Sequence, residues 1–201
     1  IYNKNINNIF FIFAVSHLII WTFVPSITNK NLPLDVIEAL AWGSNLEWGF
    51  NKHPPGSAFF PEVFFQIFGA NDWAFYLLSQ IFVVISFFYV FKFSNEILKD
   101  PKLSLISVLI LESIFFYNFT TPEFNVNVCQ LPFWSLVVFY SWKIYNDKKI
   151  KLLDCFLLGL YGAVGFLSKY LFVYLLISIF LLFIYLIYFK KIKKNDFKYF
   201  I

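Results

Sequence analysis

The amino-acid sequence predicts an all-α fold: a polytopic bundle of about six transmembrane helices, with interfacial helices in the first outer loop. Three observations carry that prediction. The composition is 60% hydrophobic and 14% charged, with a mean hydropathy of +0.69, where a soluble domain sits near ~45–50% apolar and ~25% charged. Apolar runs close to the ~20 residues that cross a bilayer recur along the chain. Lysines cluster after every second run, the alternation that positive-inside topology produces.

Asn8 to Pro25 supplies the first span and contains His17. It is too long for a signal-peptide core and lacks a small-residue cleavage site, so it is expected to be retained. Residues 27–72 form the first outer loop. In it Ala58 to Phe68 is apolar but only about half a span long, which suits an interfacial or re-entrant helix. Trp73 to Phe93, Leu103 to Phe119, Val128 to Tyr145, Leu152 to Leu167 and Tyr170 to Phe189 are the remaining spans. Lys92, Lys99 and Lys102, then Lys143, Lys148, Lys149 and Lys151, then Lys190, Lys191, Lys193 and Lys194 all fall on one side. That side is cytoplasmic by the positive-inside rule. The chain starts without Met and stops after a lysine cluster. It therefore reads as one membrane domain, the N-terminal part of a longer protein, expected to be inactive alone.

The formal charge of +4 arises from these clusters, so a nucleic-acid partner is not indicated. Every basic residue is Lys, which follows nucleotide bias rather than function. Cys129 and Cys155 fall near opposite ends of different spans and are expected to face opposite sides unpaired, as small core residues.

The one long polar stretch, Leu32 to Ser57, organises the rest. Pro33 suits the first turn of a helix, Gly43 its end and Asn31 its N-cap. Within that helix Asp35, Glu38 and Trp42 share one face and Leu34, Ile37 and Ala41 another. It would lie on the membrane surface, apolar side down. The chain then brings Lys52 and His53 to a stiff Pro54-Pro55 corner. The same side receives Thr121-Pro122-Glu123-Phe124-Asn125 and the tight turn at Lys169-Tyr170.

Each outer charge alone reads as a solvated loop residue, and Lys169 alone as a snorkelling lysine. Their convergence on one face raises a functional reading, with the Lys169 ammonium at headgroup level able to hold a lipid phosphate. Glu112, placed inside the third span, is either functional or paired with His17 or a serine in the bundle. His17 reads as a hydrogen-bonded core histidine. Trp42, Trp48, Trp73 and Trp134 read as interfacial anchors, with sugar stacking the alternative for Trp42 and Trp48. Asn118-Phe119-Thr120 matches a glycosylation acceptor against the end of a span. Phosphate loops, zinc spacings, Cys-His pairs and nucleophile elbows are missing from the sequence. No cofactor is called for, and the scattered His and carboxylates outline no metal site, although a divalent metal stays open.

A first span, then Asp35 and Glu38 on a surface helix, then Lys52-His53-Pro54-Pro55, resembles the dolichyl-phosphate-mannose protein mannosyltransferase-like glycosyltransferases (glycosyltransferase family 39-like). This group includes the bacterial aminoarabinose transferases and has the GT-C membrane fold. Thr121 to Asn125 and Leu167-Ser168-Lys169-Tyr170 fit the same group. The resemblance implies transfer of a sugar from a polyprenyl-phosphate carrier to a lipid, glycan or protein acceptor at the periplasmic face of the bacterial inner membrane. It makes Asp35 the acceptor-activating carboxylate and Glu123 the acidic position of the second outer loop. Glu38, Lys52, His53, Asn125, Lys169 and Tyr170 become substrate-binding residues. Two departures stand out: Val36 follows Asp35 where an acid is frequent, and Lys52-His53 replace an acid followed by lysine. Whether Lys52 or His53 meets the phosphate is left open.

The residues suit the chemistry independently. An inverting transfer needs a base for the acceptor hydroxyl and positive charge for the departing phosphate, and that leaving group needs no general acid. Asp35 or Glu123 can be the base; Lys52, His53 or Lys169 can supply the charge. The rival readings are a lipid or solute transporter gated by the outer loop and a scaffold without a small-molecule site. An enzyme predicts that Asp35, Lys52, His53, Glu123 and Lys169 line one cavity open to water and lipid.

Overall fold

The apolar run near the N-terminus forms α1 (Tyr2–Thr28), with Pro25 in its last turn, in the computed structural model, which describes residues 2–147 and 150–189. The surface helix is α2 (Leu34–Gly43) and the half-length run is α3 (Gly56–Phe68). Next come α4 (Asp72–Leu98), α5 (Pro101–Glu112), α6 (Val126–Asn146), α7 (Leu152–Ser168) and α8 (Val173–Tyr188). Among the described residues all regular structure is helical. Lys148, Lys149 and Lys190 to Lys194 lie outside those residues.

The helical membrane bundle is as expected, but fewer helices than the expected six have the length and apolarity of a span. Among the described residues three helical stretches are long and apolar enough to cross a membrane: Asn5–Thr28, Asp72–Leu98 and Tyr170–Tyr188. The expected third span, Leu103 to Phe119, breaks. α5 has 12 residues, a rise of only about 18 Å. Its end is set by local competition for the backbone: the Asn118 side-chain amide donates to the Glu112 carbonyl at 2.8 Å, and the Ser113 hydroxyl donates to the Ile110 carbonyl at 2.7 Å. Short polar side chains compete with helix bonds in this way, and a 3₁₀ turn at Phe115–Tyr117 follows. α6 has the length, 21 residues, but Asn127, Gln130, Lys143 and Asn146 dilute its apolar character. α7 is apolar but short, at 17 residues.

Helix ends follow sequence signals. α4 stops at Lys99 in the left-handed region (φ 55°). Asp100 then caps α5 by accepting from the Lys102 amide at 2.8 Å, with Pro101 in the first turn where its missing N–H costs nothing. A small residue on α7 admits the turn before α8 closely, as at membrane helix interfaces generally: a Cβ on Gly165 would collide with the buried ring of Phe172, in the 3₁₀ turn Tyr170–Phe172.

The alternating helices sort the loops to two ends of the bundle. At one end Asn29 donates to the Tyr76 hydroxyl at 3.0 Å, the Ser79 hydroxyl donates to the Thr121 carbonyl, and Lys169 donates to Asn127. At the other end Lys143 meets Asp154 at 2.7 Å, and Lys92 lies 4.8 Å from the Phe139 ring centre. The lysine-rich end and the polar-loop end are therefore opposite, as the charge pattern expects. Cys129 opens α6 at the polar-loop end and Cys155 opens α7 at the lysine end; both are buried and free. Between the ends, aromatic rings interlock, with Phe10 stacked on Phe91 at 4.4 Å and Phe82 edge-on to both Phe60 and Phe124.

One junction positions the polar end. A Cβ at Gly56 would stand 2.7 Å from the Leu167 carbonyl oxygen, so the start of α3 rests on the backbone at the end of α7. Backbone cannot swing aside as a side chain can. Gly56→Ala is therefore expected to cost about 1–3 kcal/mol by overpacking, read as a lowered unfolding midpoint of the whole protein in detergent. An unchanged midpoint would show that the approach is not that close.

Candidate active site

α2 begins without a cap of its own. Pro33 precedes it and offers no side-chain hydrogen bond, and Asn31 does not supply the expected N-cap. Glu123, from the second outer loop, takes that role: its Oε1 accepts from the Asp35 backbone amide at 3.2 Å. A carboxylate on the exposed N–H groups of a first turn is favoured by the helix dipole. Glu123 is half-buried and is presented by Thr121 and Phe124, both fully buried. Glu123→Gln should lower stability by roughly 0.5–1 kcal/mol, since it keeps an acceptor but removes the charge. A loss as large as that of a core truncation would mean that Glu123 does more than cap.

The other two members of the same α2 face are also engaged. Glu38 Oε1 lies 2.8 Å from Lys52 Nζ, and Trp42 meets His53 edge-on with ring centres 5.8 Å apart. Of the three residues that helical spacing aligns, Glu38 and Trp42 thus meet Lys52 and His53 through their side chains, while Asp35 meets Glu123 through its backbone amide. The Glu38 hydrogen bond, aided by the Glu38 and Asp35 charges, raises the Lys52 pKa above its usual value. Lys52 remains exposed, so its pairing is readily exchanged.

α2 has a third face that its amphipathic pattern did not suggest. Val36, Ala39 and Gly43 are buried, and a Cβ at Gly43 would stand 2.6 Å from the Ala58 carbonyl oxygen. Gly43 serves a close approach between α2 and α3; it is not a left-handed cap. Leu34 and Ile37 stay 76% and 49% exposed, as an apolar face turned to lipid would be.

Lys169 sits in an extended residue between α7 and the 3₁₀ turn Tyr170–Phe172. Its ammonium donates to the side-chain oxygen of Asn127, and it makes no ion pair among the described residues. Asn127 escaped the sequence reading; the signal was a second asparagine two positions after Asn125, in the first turn of a helix. Asn125 itself caps α6, its side-chain oxygen accepting from the Asn127 and Val128 amides at 2.9 and 3.2 Å. Tyr170 is 49% exposed, beside Phe166. Gly56 against Leu167 brings the His53-Pro54-Pro55 corner to the start of the Lys169 turn.

Asp35, Glu123, Glu38, Lys52 and His53 are therefore joined through α2, while Lys169 and Asn125 join them through the first turn of α6. Cavities of about 530 and 510 Å³ lie elsewhere, one between α4, α5 and α6 and one between α4, α6 and α8, and none of these residues lines either. Among the described residues no group of three or more His, Cys, Asp or Glu could hold a metal. Glu112 lies at the end of α5 and not inside a span, with Oε1 3.6 Å from His17 Nδ1, too long for a hydrogen bond.

Residues 52–201 match the family model of dolichyl-phosphate-mannose-protein mannosyltransferase. The match begins at Lys52 and so covers Glu123 and Lys169 but not α2. Comparison with curated proteins and with solved structures finds no match. A match over most of the chain, on a helical membrane bundle, places this chain in the dolichyl-phosphate-mannose-protein mannosyltransferase family, membrane glycosyltransferases of the GT-C type.

Proposed function

We propose that this protein transfers a sugar from a polyprenyl-phosphate carrier to an acceptor at the periplasmic face of the bacterial inner membrane, with inversion. The observation that supports this best is α2 itself, where the Asp35 amide is held by Glu123 and the side chains of Glu38 and Trp42 meet Lys52 and His53. Asp35 is the base in this reading. Its carboxylate accepts no hydrogen bond among the described residues, whereas Glu123 spends an oxygen capping α2. The acceptor hydroxyl gives its proton to Asp35 as its oxygen attacks the anomeric carbon from the face opposite the phosphate. The bond from that carbon to the phosphate oxygen breaks, and the polyprenyl phosphate leaves with the electron pair. Positive charge fixed where negative charge grows lowers that barrier.

Lys169 is the better phosphate partner, because Asn127 holds it without neutralising it. Lys52 must first release Glu38. His53 is held against Trp42 beside this pair and completes the polar wall. Tyr170 and Asn125 border the Lys169 turn. The residues present can run this chemistry without a cofactor.

The test uses the whole protein in proteoliposomes with a radiolabelled polyprenyl-phosphate sugar. A covalent product whose formation drops strongly in Lys169→Ala, and less in Lys52→Ala, supports the assignment. Movement of the labelled lipid across the bilayer without a covalent product would sink it in favour of a transporter.

A further inference from the structure

Between α1 and α4 lie three polar side chains that the transfer does not use. His17 is 4% exposed, Thr22 3% and Gln80 0%. The imidazole Nε2, the Thr22 hydroxyl and both ends of the Gln80 amide find no hydrogen-bond partner among the described residues. Gln80 faces the imidazole, yet the two do not reach hydrogen-bond geometry.

The helices run antiparallel here. Asn29 meets Tyr76 at the polar end and Phe10 stacks on Phe91 toward the other. Thr22 and His17 therefore fall at the level of Gln80 and Phe87, and the His17 and Phe87 rings are 5.1 Å apart. Phe13 and Trp21 crowd the same imidazole, so little room is left for a large ligand.

Polar groups unpaired in an apolar interior are strongly penalised, and native structures relieve them with buried water. The donor set selects the same ligand. The Gln80 amide and the Thr22 hydroxyl each need a partner that donates and one that accepts. An anion would face the Gln80 oxygen, and a cation would face the Gln80 N–H groups. A small neutral molecule that does both matches this donor and acceptor set. A partly exposed group adjoins the imidazole: the Glu112 side chain is 27% exposed at the end of α5, 3.6 Å from His17 Nδ1.

We propose that His17, Thr22 and Gln80 enclose an internal water-binding site between α1 and α4, adjoining Glu112. The test is X-ray radiolytic footprinting of the whole protein in lipid nanodiscs with isotopically labelled water. Radicals formed from a bound water label the side chains beside it. His17 and Phe87 should take up label several-fold faster than Phe75 and Phe139, which are equally buried. Labelling at His17 no faster than at Phe75 overturns the site. Gln80→Leu provides the second arm. Over a hydrated site it lowers the unfolding midpoint and slows labelling at His17. Over a dry one it removes an unpaired amide and raises the midpoint, which counts against the proposal.

Discussion

Asp35→Asn is expected to lower sugar transfer by about 10²–10⁴-fold, the usual contribution of a positioned general base, while leaving the fold intact. The substitution is well chosen by the geometry. What holds α2 to the second outer loop is the backbone amide of residue 35 on Glu123 Oε1, and Asn keeps that amide. The loss should appear in kcat/KM for the acceptor, with carrier binding nearly unchanged, because Lys169 and Lys52 are untouched. Glu123→Gln should reduce transfer less, since that carboxylate acts through α2. If Asp35→Asn turns over within tenfold of the parent, or if Glu123→Gln is the more damaging change, the base is misassigned.

Lys143→Ala is expected to be the most destabilising single change at the lysine-rich end. Lys143 Nζ lies 2.7 Å from Asp154 Oδ1, and the Asp154 side chain is only 5% exposed. Removing the lysine leaves a carboxylate with little water and no counter-charge on that oxygen. Breaking a buried pair in this way costs about 3–5 kcal/mol. The lysine side chain is 34% exposed, which places the expectation at about 3 kcal/mol. The double change Lys143→Leu with Asp154→Leu should recover most of that loss, because it removes the stranded charge as well as its partner. Unfolding of the whole protein in detergent reads both. A single variant as stable as the parent would mean that water reaches Asp154. Neither change should alter transfer by the folded fraction, because the pair lies at the end opposite α2.

The residues of the site were legible to unequal degrees. Spacings of three and four put Asp35, Glu38 and Trp42 on one face of a short helix, and Lys52 and His53 meet that face at Glu38 and Trp42. The partners were not legible as partners. Glu123 lies far along the chain from Asp35, and nothing in its local sequence says that its oxygen would cap another helix. Asn127 was missed because one Asn in a first turn is an ordinary residue until a lysine from another loop lands on it. Glu112 was misplaced for a different reason. Hydropathy averages over a run and reads Leu103 to Phe119 as one span, whereas Ser113 and Asn118 take backbone groups from the helix and end it at Glu112.

The sequence by itself determined that the chain is helical, lives in a membrane and gathers Lys92, Lys99, Lys102, Lys143 and Lys151 at one end. Each of these follows from local composition: apolar runs must satisfy their own backbone in lipid, and charge decides which ends stay in which water. Only the tertiary structure decided which carboxylate is free and which is a cap, which lysine is neutralised and which is not, and where α3 rests on α7. Those outcomes depend on hydrogen bonds and on close approaches at Gly43 and Gly56 between segments distant in the chain. Such contacts are set by three-dimensional packing, and periodicity along a single helix carries no record of them.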